Sequence, residues 1–417
     1  MESVKAMTDC CSTPGLTPFD DALGQLLAKV EVMTRTTTLP IEEALGRVLS
    51  KSVVSNINIP AADNSAMDGF AVRIEDAVNG AQLEQVAKVF AGHPFDGVIG
   101  MGQCARIMTG GQVPAGCDAV VMQENTLTQD NIIIIEKAVR SGENIRRAGE
   151  DIAQGQIVLG KGRCLTPADI GLLASLGFSH VTVFAPIKVA LMSTGDELQT
   201  PGKPLNIGQF YESNGYTVGA VLQRFGVELM NFGIIEDDIN ALKRAFTQAD
   251  AWADVVITSG GVSVGEADYT KTVLEELGRI YFWKLAIKPG KPFAFGFLPD
   301  SYFIGLPGNP VSALVTLHQL AIPLLRKISG QEQQPPLRLK AVAATNIRKQ
   351  PGRMDFQRGV YQLTAHGELI VQLTGSQGSG MLTSMSRANC YIVLEQDRGS
   401  VQAGDTVMIE PFDRLLL

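Results

Sequence analysis

The sequence predicts a multidomain α/β protein: a doubly wound βαβ domain, an inserted β domain, a small linking domain and a C-terminal β-barrel-like domain. Three observations carry this. Between residues 188 and 328 a strand-like apolar run passes into a polar loop and then a helical pattern four times over, the alternation of a largely parallel sheet. Residues 84–140 and 338–414 break instead into short strand-like runs punctuated by Gly and Pro, as compact β domains do. The 417 residues allow about two to four domains, each with its own core.

Composition narrows the function classes. Hydrophobic residues make up 45% and charged residues 19%, which is ample for a globular core and argues against disorder. The net charge of −8 argues against a broad nucleic-acid surface, though a local basic patch still suits an anionic ligand. No apolar run reaches the roughly 18 residues of a membrane span, and the first residues show no signal-peptide core. The six cysteines, at 10, 11, 104, 117, 164 and 390, form no CxxC pair and no zinc spacing, so free thiols in a reducing cytoplasm are expected. Four histidines lie far apart, and His318 reads as a helix-face residue.

Taken in order, residues 1–16 read as a disordered tail. Phe19, Ala22, Leu23, Leu26, Leu27 and Val30 have helical spacing, with Thr17 as N-cap, and a second short helix is expected over 41–49. Residues 57–72 form a polar, turn-rich block beside a strand at 70–73. By themselves they leave open whether Asp63 and Asp68 are turn formers or are presented to a ligand. Strands are expected at 85–90, 103–108, 118–121 and 131–137. The segment Gly142–Asp151 carries Arg146 and Arg147, which suit either an anion contact or a solvated charged loop. Thr166-Pro167-Ala168-Asp169 opens a helix within 163–176.

The βαβ alternation follows. The strand 189–192 leads to Asp196-Glu197, and Glu212-Ser213-Asn214 caps a helix over about 215–225. The strand 228–235 leads to Glu236-Asp237-Asp238 and a helix over about 239–249. The strand 254–258 leads to Ser259-Gly260-Gly261 and, beyond Glu266 and Asp268, a helix over about 268–277. After this helix-like spacer come Lys284, Lys288 and Lys291, and then the strand 302–306, Leu306-Pro-Gly-Asn-Pro310 and a helix over about 311–328. In doubly wound sheets the ligand crevice lies at the strands' carboxyl ends, so Glu197, Asp237 and Asp268 are expected to face one crevice. A tight glycine loop with unclaimed N–H groups, carboxylates for a divalent cation and nearby lysines point to an enzyme acting on a phosphorylated small molecule. After a linker at 331–337, the segment Thr374–Gly380 reads as a nest-like loop within reach of an oxyanion.

The motifs together are more specific than any one of them. Pro60-x-x-Asp-Asn-Ser-Ala-Met-Asp68-Gly, Arg106-Ile-Met-Thr-Gly110, Asn144-Ile-Arg-Arg-x-Gly-Glu-Asp151, Ser193-Thr-Gly-Asp-Glu-Leu198, Ser259-Gly-Gly-Val-Ser-x-Gly-x-x-Asp268 and Leu306-Pro-Gly-Asn-Pro310 occur in that order. The set resembles the molybdopterin molybdenumtransferase family, whose relatives include the E domain of gephyrin, from about residue 17 to the C-terminus. The resemblance implies insertion of molybdate into adenylylated molybdopterin with release of AMP, assisted by Mg²⁺. It also implies an elongated homodimer, in which the βαβ and C-terminal domains of one subunit and the inserted domain of the other share a cleft. It divides the chain into a linking domain (36–54 and 155–186), an inserted domain (55–154), a molybdopterin-binding domain (17–35 and 187–330) and a C-terminal domain (336–417).

The resemblance assigns Asp68, Glu197, Asp237, Lys284 and Lys288 to catalysis. It assigns Thr109, Arg146, Asp151, Ser259, Gly260, Gly261, Pro307, Pro310, Arg358 and Ser379 to substrate, and Asp237 and Asp268 to the metal. On this reading Lys284, Lys288, Arg146 and the Ser259 loop neutralise a pterin phosphate, while molybdate meets backbone amides near Pro307–Pro310 with Lys288, Arg358 and Ser379. The pair Ala61-Ala62 departs from a family pattern that often has a larger residue before Asp63. A cytoplasmic protein is implied, with transient contact to the adenylyltransferase and to apo-molybdoenzymes and with no nucleic acid or membrane partner. Two other readings compete. A molybdopterin adenylyltransferase using MgATP shares the Ser-Gly-Gly domain but reads as that domain alone. A gephyrin-like scaffold needs a further trimerising domain and a long linker.

Overall fold

A computed structural model of the chain describes residues 15–261 and 269–417. Glu266, Asp268, Cys10, Cys11 and most of the expected tail therefore lie outside the described residues. Two compact units are present. One takes the residues up to Thr37, Gly46–Val48 and everything from Val183 onward; the other takes Thr38–Leu45 and Leu49–Thr182.

The second unit is built on a six-stranded mixed sheet. Its strands run Ala119–Met122, Gly69–Val72, Gln103–Ile107, Gln82–Val89, Ile132–Ile135 and Thr126–Gln129 in spatial order. Alternation puts Phe70, Val72, Leu83, Cys104 and Val121 in one apolar layer and Ala71, Val89, Ala105, Ile107 and Val120 in the other, as a two-sided sheet requires. The expected strands are present, and Thr126–Gln129 is an additional one. The same unit holds two short antiparallel ladders, pairing Asn64–Ser65 with Ile145–Arg146 and Val53–Val54 with Ile157–Leu159. The helix Pro167–Ser175 starts with a reciprocal cap, in which Thr166 accepts from the Asp169 amide and Asp169 accepts from the Thr166 amide. Burial pushes the Asp169 carboxyl up, but bonds from Arg163 and Thr166 outweigh it and hold the group below its ordinary range. The helix expected over 41–49 is only a single 3-10 turn, Ile41–Glu43. Gly46, at φ +74°, takes a left-handed conformation that no helix continues through.

The first unit holds the βαβ domain. Its sheet runs Glu228–Ile235, Lys188–Thr194, Val255–Ser259, Tyr302–Leu306, Pro292–Phe297 and Arg279–Lys284. The first four strands are parallel, and Pro292–Phe297 runs antiparallel to both of its neighbours, Tyr302–Leu306 and Arg279–Lys284. Both faces of the parallel part are covered, which is why these strands read as nearly continuous apolar runs. Val189, Leu191, Val255, Ile257, Ile304 and Leu306 face the helices Phe19–Lys29, Asn214–Phe225 and Pro310–Ile328. Ala190, Met192, Val256 and Phe303 face the helices Ile239–Trp252 and Tyr269–Leu277. No strand is expected between the helix ending near 277 and the strand at 302; Arg279–Lys284 and Pro292–Phe297 are additional. The run Ile-Tyr-Phe-Trp over 280–283 is aromatic and β-favouring.

Thr17 is not the N-cap of the first helix. Pro18 occupies that position with no side-chain bond. The Thr17 backbone instead forms a parallel bridge to Leu285, giving its amide to the Lys284 carbonyl at 2.9 Å and taking the Ala286 amide at 2.7 Å. A tertiary pairing thus takes the place of a local cap. The helix Pro310–Ile328 is 19 residues long and apolar enough to cross a membrane, yet 78% of it is buried inside the fold. It is a core helix, with a π-helical turn at Leu317–Ala321.

From Leu339 onward the strands Leu339–Ala343, Met354–Leu363, Leu369–Leu373, Cys390–Leu394 and Thr406–Pro411 pair round into a closed barrel. Ile287–Lys288 adds to it in parallel against Met354–Asp355.

Candidate active site

Each of the four parallel strands ends at one edge of the sheet, and the loops that follow enclose a cleft of about 760 Å³. Glu197, Asp237, Ser259, Gly260, Gly261, Pro307 and Pro310 all line it. Seven residues expected from the sequence are therefore brought together by one topological rule: successive parallel strands deliver their C-terminal loops to the same side.

The loops are held by specific bonds. The Gly260 amide donates to the Leu306 carbonyl at 3.1 Å, which extends the ladder one residue beyond the Ser259–Leu306 pairing. The Gly260 amide is thus claimed within the sheet, and the loop beyond Gly261 lies outside the described residues. Gly260 sits at φ +92°, and a Cβ there would lie 2.6 Å from the Thr194 carbonyl oxygen. Only glycine fits that approach. At Gly261, φ +65°, a Cβ would meet the Thr270 side chain at 2.6 Å.

Three helix N-termini beside these loops are met by the chain itself. Asp238 accepts the Ala241 amide at 2.9 Å. Glu212, 7% exposed, accepts the Gly215 amide at 2.5 Å and the Ser193 hydroxyl at 3.1 Å. The Ser379 carbonyl accepts the Val311 amide at 3.0 Å, and Pro310 has no amide to give. The Val311 amide is therefore taken by the 374–380 loop, and of the amides expected near Pro307–Pro310 those of Gly308 and Asn309 stand on residues that line the cleft.

Some expected residues lie elsewhere. Lys284 and Lys288 are exposed and do not line the cleft; Lys288 pairs with the buried Asp355 at 3.6 Å. Arg358 is 1% exposed inside the barrel. It donates to the Ser384 hydroxyl at 3.0 Å and to the Gly378 carbonyl at 3.1 Å, and burial lowers its pKa to about 10. It shapes the loop carrying Ser379.

In the other unit, Asp68 and Thr109 meet directly. The Asp68 carboxylate accepts both the amide and the hydroxyl of Thr109, each at 2.7 Å. These bonds, the amide's first, hold its carboxyl below the ordinary range. Both residues flank the Asn64–Ser65 ladder, since the Gly110 amide donates to the Ser65 carbonyl at 2.8 Å. Arg146 stands opposite Asn64 in that ladder and is exposed. Asp63 is taken up structurally. It pairs with Arg147 at 2.6 Å and accepts the Ala148 amide at 2.8 Å. Asp151 is exposed, with its amide on the Ile59 carbonyl at 3.0 Å.

The sequence reading missed three kinds of cleft residue. Phe210 and Tyr211, 54% and 44% exposed, form an aromatic wall set by a two-residue parallel ladder with Leu198–Gln199. The signal was an aromatic pair standing just before Glu212. Glu212 and Asn214 read as simple helix caps, yet both line the cleft and bond its other loops.

Among the described residues no three His, Cys, Asp or Glu side chains converge tightly enough to hold a metal ion by themselves. Asp237 is on the cleft wall, with its amide on the Asp196 carboxylate at 3.3 Å, and Asp268 lies outside the described residues. Such carboxylates suit Mg²⁺ as one or two protein ligands that complete their shell with substrate phosphate.

Comparison with known proteins covers nearly the whole chain. Residues 17–177 match the MoeA N-terminal region (domain I and II), 190–327 a probable molybdopterin binding domain, and 340–412 the MoeA C-terminal region (domain IV). The chain is 48% identical to a molybdopterin molybdenumtransferase of Haemophilus influenzae, over 95% of this chain and 99% of that one. It is 34% identical to a protein of the same name from Nostoc, over 95% and 93%. Among solved structures it is similar to a molybdopterin biosynthesis moeA protein of Pyrococcus horikoshii OT3. That match has a TM-score of 0.83 at 29% identity and covers 95% of this chain and 100% of that one.

Proposed function

The chain belongs to the molybdopterin molybdenumtransferase family and is an enzyme of that class; we propose that it transfers molybdate into adenylylated molybdopterin, releasing AMP. The observation that carries the reading is the single cleft at the four strand ends, where Glu197, Asp237, the Ser259–Gly261 loop and the Phe210–Tyr211 wall meet. A pterin is planar and aromatic, so an exposed aromatic wall suits it. Its phosphate is directed to the Ser259–Gly261 side, because the helix ends at Asn214, Ile239 and Pro310 already hold Glu212, Asp238 and the Ser379 carbonyl.

Within this reading Asp237, with Asp268, would hold Mg²⁺, which supplies Lewis-acid polarisation of a phosphoryl oxygen when bound. The protein's own part is placement. Gly260 and Gly261 let the loop approach the ligand closely, and Glu197, folded back over Gly195, offers a carboxylate at the cleft rim. Lys284, Lys288 and Ser379 are proposed to meet the molybdate or phosphate charge from the C-terminal side, with the buried Arg358 holding the loop that carries Ser379. Asp68, Thr109, Arg146 and Asp151 are proposed to complete the site from a second subunit of a homodimer. We place the enzyme in the cytoplasm, with the adenylyltransferase and apo-molybdoenzymes as transient partners.

Adenylylation of molybdopterin with MgATP is not favoured, since the relatives matched over the whole chain carry the molybdenumtransferase name. The test mixes the purified protein with adenylylated molybdopterin, Mg²⁺ and molybdate. AMP release that depends on molybdate supports the reading. Pyrophosphate release from ATP, or AMP release indifferent to molybdate, overturns it.

A further inference from the structure

We propose that Asn214 is a positioning residue that clamps two walls of the cleft together and thereby sets how tightly the pterin substrate is held. The proposal rests on the reading of this cleft as the substrate site. Asn214 is 9% exposed, begins the helix Asn214–Phe225, and lines the cleft. Its side-chain nitrogen donates to the Ser259 hydroxyl at 2.7 Å and to the Gly308 carbonyl at 2.7 Å. An amide nitrogen has two hydrogens, and both are used.

The place of these bonds gives them their effect. Ser259 and Leu306 are the last register partners of two adjacent strands. Beyond them only the Gly260 amide, on the Leu306 carbonyl at 3.1 Å, continues the ladder. The two loops then turn into the cleft as Gly260-Gly261 and Pro307-Gly308-Asn309, and no regular pairing fixes their spacing. Asn214 bonds one acceptor from each loop at that point of divergence. Its helix is anchored independently by Val218, Val221 and Leu222 in the core, and by the Glu212 carboxylate on the Gly215 amide. The side chain therefore reaches the loops from a rigid support, the arrangement by which a supporting residue holds a site in a binding geometry.

Asn214→Ala removes both bonds. Asn214→Asp keeps the shape and can still accept from Ser259, but it places an oxygen against the Gly308 carbonyl. Two measurements on the full chain decide the matter. Hydrogen exchange is expected to show the Gly260 amide losing about tenfold or more of its protection in both variants, while Ile257 within the strand is unchanged. In molybdate-dependent AMP release, the KM for adenylylated molybdopterin is expected to rise about tenfold, with kcat changing less than about threefold. Unchanged Gly260 protection in a folded variant overturns the clamp. Lost protection with unchanged KM overturns its positioning role, as does equal loss of protection at Ile257, which marks a general structural defect. If the unsubstituted protein releases no AMP with molybdate, the assignment of the cleft fails, and the exchange result still decides whether Asn214 holds the loops.

Discussion

The carboxylate of Asp68 is gripped by Thr109 at two points, amide and hydroxyl, each at 2.7 Å. A carboxylate that accepts two donors keeps its charge to lower pH. Thr109→Val removes the hydroxyl donor and leaves the amide. We expect the Asp68 pKa, followed by NMR titration, to rise toward the ordinary carboxylate value, and the acid limb of activity to move to higher pH with it. An unmoved Asp68 titration would show the hydroxyl bond to be dispensable.

Asp68 and Asp237 belong to different compact units. If a working site combines these units from two subunits, Asp68→Asn and Asp237→Asn homodimers are each inactive. Unfolded together and refolded, or co-expressed, they should regain about a quarter of full activity, because half the dimers then carry one intact site of two. No recovery would place both carboxylates in one subunit's site.

Gly260→Ala should destabilise the protein by about 1–3 kcal/mol and suppress activity. Its Cβ would lie 2.6 Å from the Thr194 carbonyl oxygen. Gly226 shares the same φ of +92° with nothing within 4 Å, so Gly226→Ala isolates the cost of the backbone conformation, about 1 kcal/mol. Denaturant midpoints of the two variants should differ by the contact with Thr194. Equal midpoints would mean that the loop yields.

Asp413 joins the barrel to the long core helix. It lies 3.3 Å from His318 Nε2 and 3.1 Å from Arg326 Nη2, and it accepts the Leu415 amide at 2.9 Å. Burial pushes its carboxyl up, but the bond from His318 and the neighbouring positive charges prevail and lower it to about 2. A depressed carboxylate contributes stability above its unfolded pKa, near 4, and that stability is lost as the pH falls toward 2. Asp413→Asn should therefore lower stability at neutral pH and flatten its decline between about pH 4 and about pH 2. Acid denaturation curves test this, and parallel curves for the two proteins would exclude the linkage.

The βαβ half of the site was readable because strand ends are punctuated in sequence. Ser193-Thr-Gly-Asp-Glu, Ser259-Gly-Gly and Leu306-Pro-Gly-Asn-Pro each stop an apolar run, and parallel topology does the rest. What resisted reading depended on distant partners. Thr17 looks like a cap until Leu285 is known to lie beside it. Asn214 looks like another cap until Ser259 and Gly308 are seen within 2.7 Å of its nitrogen. Arg358 is assigned to substrate by resemblance alone, and only the folded barrel reveals its burial. The antiparallel strands Arg279–Lys284 and Pro292–Phe297 were obscured by the lysines between and beside them, which drew a chemical reading from a structural stretch.

The first unit is interrupted in sequence by the second, and this bears on how the chain matures on the ribosome. The ring of Phe19 packs edge-on against Phe356 with centroids 5.5 Å apart, and Ala22 and Leu26 share the same core. At roughly 5–20 residues per second, on the order of tens of seconds separates the emergence of these partners. The intervening unit emerges whole and can fold meanwhile, while the apolar face of the first helix waits uncovered. We expect that face to need cover while it waits, and because Phe19, Ala22 and Leu26 end buried in the core, a substitution there alters both yield during synthesis and stability afterwards.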